Sequence, residues 1–135
     1  MGAIEDRNKA IIQRVYDDGY NGGDEALYAE LYHPTFHHHS KTIHDVGQGG
    51  EAERQSMLRF RASMPDAHFE VVQLLAEGDM VAARLHITGT PGHDFGNVLA
   101  TDGPFDRQTL ALFRLEDGLL MEEWFFIDGG APAPS

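Results

Sequence analysis

Glu122, Trp124, Phe126 and Asp128 occupy alternate positions of the stretch LLMEEWFFID, residues 119–128. Alternate side chains of a strand share a face, so a strand here places two carboxylates beside two large aromatics. A carboxylate held against apolar rings is poorly hydrated, which disfavours its charged form and raises its pKa. Such a group can take and return a proton near neutral pH. Asp128 is therefore a candidate acid/base. The blander alternative makes it the start of a turn before Gly129-Gly130, with Glu122 at a solvated edge. Leu119, Met121, Glu123, Phe125 and Ile127 point to the other face.

The run His37-His38-His39 is the second chemical feature. On a strand, His37 and His39 share one face and His38 takes the other. Two imidazoles on one face can ligate a metal, with His33, His44 or Asp45 as a third ligand. No spacing of the H-E-x-x-H kind accompanies them, and no metal is expected. Arg84 and His86 share a strand face with Ala82 and Thr88. Arg84 either pairs with Glu122, leaving Asp128 as the free base, or is an ordinary edge arginine; register is not legible from sequence. Tyr16, Tyr20 and Tyr32 lie on the apolar sides of helices. They are core residues, except where a phenol reaches a pocket and stabilises an enolate oxygen.

The elements that must position these groups follow from periodicity. Ile4, Ile11, Ile12, Val15 and Tyr16 recur near a 3.6 period and predict a first helix, weakened at Gly19 and ended by Asn21-Gly22-Gly23. Asp24 can cap a short second helix that Pro34 stops at about Tyr32. Residues 35–40 and 42–46 are expected to be extended, and residues 47–50 to turn. A third helix is expected over 51–64, with Met57, Phe60 and Met64 on one stripe. Three long strands are expected over 68–77, 80–90 and 105–115. The last turns at Asp117-Gly118, a strong hairpin signal, into residues 119–128. Residues 91–104 form a long connection with Gly and Pro at its ends and Phe95, Val98 and Leu99 in its middle, the composition of a lid.

At 135 residues with 41% apolar content, the chain is expected to be a single domain over 1–130 with a disordered tail at 131–135. The absence of cysteine excludes disulfides, thiol nucleophiles and thiolate metal sites. A net charge of -12 argues against nucleic acid and anionic membranes as partners. No apolar run approaches 18 residues and no signal peptide is evident, so a cytoplasmic location is the expectation. Helices followed by hairpin-linked strands give an α+β class, with a curved, mostly antiparallel sheet around three helices. Apolar residues on both faces (Val81, Ala83, Leu85 and Ile87 against Met80 and Ala82) suggest a homodimer formed through the sheet.

The fragments Asn21-Gly-Gly-Asp24, His33-Pro-Thr-Phe36 with His39, and Met64-Pro-Asp66 stand in a characteristic order. Ala76-Glu-Gly-Asp79, Val81-Ala-Ala-Arg84, Gly89-Thr90 and Phe95-Gly96 come next. Phe113-Arg114 with Asp117-Gly118, and Glu122-x-Trp124-x-x-x-Asp128, complete it. Over residues 8 to 128 this order resembles the SnoaL-like polyketide cyclases, within the cone-shaped fold of nuclear transport factor two. The resemblance implies a cone with a deep apolar pocket and an intramolecular aldol cyclisation without metal or cofactor, in secondary metabolism such as antibiotic biosynthesis. It places the acid/base at Asp128 and a pocket hydrogen-bond donor at His39. A hydrophobic small-molecule substrate would contact Tyr16, Tyr20, Phe36, Phe60, Arg84, His86, Phe95, Glu122, Trp124 and Phe126. The chain departs from the family at Gly89-Thr90-Pro91, where the family often has His after Gly-Thr, in residues 91–104, and in its richer histidine run. The fold also hosts epoxide hydrolases, dehydratases, isomerases and non-catalytic binders, and a shape-driven pericyclic closure is a further alternative.

Overall fold

The computed structural model describes residues 2–39, 48–93 and 103–127. The expectations for residues 42–46, for Phe95 and most of the 91–104 connection, for Asp128 and for the tail lie outside these described residues.

Helix α1 (Ala3–Arg14) turns Asn8 and Ile12 inward. The chain then continues as a π-helical segment, Val15–Tyr20, closed by the Asn21 N–H on the Tyr16 carbonyl at 2.9 Å. This wider turn delivers Val15, Tyr16 and Gly19 to the interior. Asn21 then does strand-like work with its side chain: its amide donates to the Phe69 carbonyl at 2.8 Å and accepts from the Phe69 N–H at 2.8 Å. Arg61 fastens the same corner by donating to the Tyr20 and Asn21 carbonyls.

Asp24 accepts a hydrogen bond from the Ala26 N–H just ahead of α2 (Leu27–Leu31). Strand β1 (Tyr32–His38) follows directly and includes Pro34, which an edge strand tolerates because one row of its N–H groups needs no partner. Helix α3 (Gly49–Ser63) begins two residues before the expected start. Gly50 permits that start: a Cβ there would meet the Tyr28 carbonyl oxygen at 2.2 Å, so only glycine lets α3 lie against α2.

The long strands are β2 (His68–Glu77), β3 (Met80–Gly89), β4 (Phe105–Glu116) and β5 (Leu119–Ile127). They form one curved sheet in the order β1-β5-β4-β3-β2, antiparallel except where β1 runs parallel to β5. The β4–β5 hairpin turns through Asp117 and Gly118, both at positive φ, as the Asp-Gly signal requires. Val81, Ala83, Leu85, Ile87, Ala111, Phe113, Leu120 and Phe125 cover the inner face, where the helices pack and the core lies. Val72, Leu75, Leu110 and Phe126 remain exposed on the sheet.

One irregularity reorganises the strand that the sequence singled out. Arg114 pairs with Glu122, but the next residue, Leu115, pairs with Leu120, so Met121 is the extra residue of a bulge. Leu120 therefore shares the inner face with Glu123, Phe125 and Ile127, not with Glu122. Glu122, Trp124 and Phe126 do share a face, but it is the outer one, away from the core. Register excludes one of the two readings of Arg84, the pairing with Glu122: Arg84 lies opposite Leu110 and donates to Gln73, while Glu122 is met by Arg114.

Candidate functional site

Two groups of side chains surround β5, one on each face. On the inner face lies a narrow cavity of about 20 Å³, walled by Tyr16, Tyr20, Phe60, Phe69, Ile87, Phe125 and one acid, Glu123. That is little more than the space for a single water. Tyr20 and Phe69 have ring centroids 4.7 Å apart, and Phe60 and Phe69 5.1 Å. These contacts make the wall a continuous aromatic surface.

Glu123 belongs at the same time to a buried polar cluster. Its Oε2 lies 3.5 Å from His38 Nε2. Glu53 joins from α3, and one ligand-type atom from each of the three residues lies within 4.8 Å of the others. Exposures of 3% for His38, 1% for Glu53 and 6% for Glu123 put all three out of solvent. Two carboxylates in such a place cannot both ionise cheaply. Burial first, and then the neighbouring Glu123, push the Glu53 carboxyl up to about 8, while His38 pulls the other way. Glu53 thus holds a proton at neutral pH and can donate to Glu123, yet its Oε2 has no hydrogen-bond partner among the described residues. Tyr16, Tyr20, Tyr28 and Tyr32 are all held above the usual phenol value, first by burial and further by the nearby carboxyl groups of Glu53 and Glu123. They remain neutral donors. The Tyr28 hydroxyl, like Glu53 Oε2, is buried without a hydrogen-bond partner among the described residues.

On the outer face His39 stacks flat on Trp124, with ring centroids 4.6 Å apart, and reaches Glu122 Oε1 at 3.0 Å. Arg114 Nε donates to Glu122 Oε2 at 2.5 Å. Arg114 first, and His39 second, hold the Glu122 carboxyl below its ordinary value. His37 meets His39 edge to face. Further along, His86 is raised by Asp106 at 2.6 Å, and Glu70 lies 3.5 Å from its other nitrogen.

Of the residues expected to line a pocket, Tyr16, Tyr20 and Phe60 meet at the cavity. Phe36 is wholly buried and packs edge-on against Tyr32 instead. His39, Arg84, His86, Glu122, Trp124 and Phe126 stand on the outer face. Phe95 and Asp128 lie outside the described residues. The structure brings together His38, Glu53 and Glu123, which the sequence reading left aside. Glu53 and Ser56 extend the Met57/Phe60 stripe backwards along α3, and an acid on an apolar helical stripe was the available signal.

The sequence pattern of the SnoaL-like polyketide cyclases matches residues 10–133, and the chain belongs to that family. No curated protein matches it. Among solved structures it is similar to a SnoaL-like protein from Jannaschia, at 24% identity, TM-score 0.79, covering 95% of this chain and 90% of that one. It is similar to IdmH from Streptomyces antibioticus, a proposed polyketide cyclase, at 27% identity and TM-score 0.75, covering 91% and 93%. A proposed polyketide cyclase from Bacillus cereus matches at 28% identity and TM-score 0.73, covering 90% and 74%. No described helix is long and apolar enough to cross a membrane.

Proposed function

We propose that the protein is an enzyme that closes a carbon–carbon ring in a polyketide-type intermediate, without an organic cofactor. The observation that carries this reading is a single acid, Glu123, set into an aromatic cavity wall beside neutral tyrosines. Family membership supports the substrate class. In an intramolecular aldol closure, Asp128 removes a proton alpha to one carbonyl. The resulting carbon attacks a second carbonyl of the same chain, and the proton returns to the new alkoxide, so no atom is lost in the closure. Aromatic walls fold the chain so that the reacting carbons meet. Tyr16 or Tyr20 would hold the developing oxyanion, a role that His39 on the outer face is not placed to fill. A cavity of this size must widen to admit such a substrate, and the 91–104 connection is the proposed lid. The exposed apolar residues of the outer face support a homodimer formed through the sheet.

The test uses short linear poly-β-ketone thioesters and follows ring closure by absorbance and mass. Acceleration by the wild type is expected, with turnover lower by roughly 10²–10⁴-fold in Asp128→Asn, the usual contribution of general acid–base catalysis. Trp124→Ala, on the outer face, should change turnover little. No acceleration at any chain length would reject the cyclase. Full turnover in Asp128→Asn would reject Asp128 as proton carrier.

A further inference from the structure

The chain buries two glutamates against each other with one imidazole, and the arrangement has the composition of a metal centre. We propose that His38, Glu53 and Glu123 form a binding site for one divalent first-row transition ion of the zinc type. The ligands come from three separate elements, β1, α3 and β5, so the fold rather than a local motif assembles them. Ligand atoms bonded to one tetrahedral zinc at about 2.1 Å stand about 3.4 Å apart. His38 Nε2 and Glu123 Oε2 are already at 3.5 Å. One ligand-type atom from each of the three residues lies within 4.8 Å of the others, so closing the group on one ion needs a shift of at most about 1.4 Å.

A second observation points to a ligand independently of the clustering. Glu53 Oε2 is buried without a hydrogen-bond partner among the described residues, and its residue is only 1% exposed. Buried carboxylate oxygens are rarely left so, because desolvation is then uncompensated. A dication would satisfy that oxygen and balance two carboxylates at once. The imidazole selects zinc, iron or cobalt over magnesium and calcium, which prefer all-oxygen sets. Three protein ligands leave a fourth position, as in catalytic rather than structural zinc sites. Glu123 also lines the aromatic cavity. The inference does not rest on the cyclase reading.

The surface offers decoys that the experiment must separate. His39 with Glu122, and His86 with Asp106 and Glu70, are half-exposed imidazole–carboxylate groups. Untagged, chelator-treated protein is titrated with Zn²⁺ and, separately, Mg²⁺ in a calorimeter. One Zn²⁺ per chain is expected, with no saturable Mg²⁺ binding. Glu53→Gln and His38→Gln should each weaken Zn²⁺ by at least about tenfold, the lower bound for losing a group that orients or makes a metal bond. His39→Ala and Asp106→Asn should leave it unchanged. Zinc-edge absorption of the wild-type complex should show a first sphere of nitrogen and oxygen with a single imidazole. That measurement decides the matter even where a variant fails to fold. Absence of stoichiometric Zn²⁺ binding, or binding that survives Glu53→Gln and disappears in His39→Ala or Asp106→Asn, overturns the site. So does a zinc-edge spectrum with several imidazoles.

Discussion

The chain contains two neighbouring histidine–glutamate pairs, one on each face of the same sheet edge. His39 and Glu122 are joined at 3.0 Å in partial solvent, and His38 and Glu123 stand at 3.5 Å in the interior. Residue types are identical and sequence positions differ by one. Their chemistry diverges because of what surrounds them. Outside, Arg114 supplies a permanent cation and water screens the rest, so Glu122 is held ionised below its ordinary value. Inside, a second carboxyl replaces the cation, solvent is excluded, and Glu53 is driven to keep a proton. The shorter pair is a half-exposed hydrogen-bonded contact of modest worth, whereas the longer and buried pair is the one able to move protons or hold a metal.

The largest expected separation is in stability. His38→Leu leaves the Glu123 charge buried beside no imidazole, and loss of one partner from a buried pair costs roughly 3–5 kcal/mol. His39→Leu should cost about 1 kcal/mol or less, because Glu122 keeps Arg114. Urea unfolding of the two variants at pH 7 checks the contrast, and equal losses would erase it.

A smaller effect per step comes from pH. The folded value of Glu53, about 8, lies above its ordinary 4.5, so between these values the folded state binds the extra proton. Stability from this group is therefore complete below about 4.5 and declines as pH rises through about 8, by at most about 1.4 kcal/mol per unit. His86, raised by Asp106, adds a decline of the same sign as pH passes through its folded value. Glu122 acts oppositely: its depressed value makes its contribution present above the ordinary 4.5 and lost as pH falls below it. In metal-free protein, denaturation midpoints between pH 5 and 9 should fall in the wild type and flatten in Glu53→Gln. Glu122→Gln should leave that slope nearly unchanged.

The same comparison explains what could be read in advance. Strands β2 to β5 and their turns were legible because alternation and the Gly78 and Asp117-Gly118 signals are local. The family was legible from the order of short fragments. The inner and outer faces of β5 were not. Glu122, Trp124 and Phe126 look like a pocket wall because aromatics usually face inward, and Glu123 looks like a surface acid. Two facts invert this. The Met121 bulge changes which residues join Leu120 inside. Glu123 is tolerated in the core only because His38 and Glu53 arrive from elements 85 and 70 positions earlier in the chain. No window along the sequence contains all three. In the histidine run, His37 and His39 share the outer face, and only His38 reaches the interior.

The most direct test of the account is whether one carboxyl stays protonated at neutral pH in the interior. Infrared spectra of the metal-free protein at pH 7 should contain the carbonyl stretch of a single buried carboxylic acid. That band should bleach with a midpoint near about 8 and be missing from Glu53→Gln while persisting in Glu122→Gln. A spectrum without the band, or a band that titrates in the ordinary carboxylate range, would contradict the account.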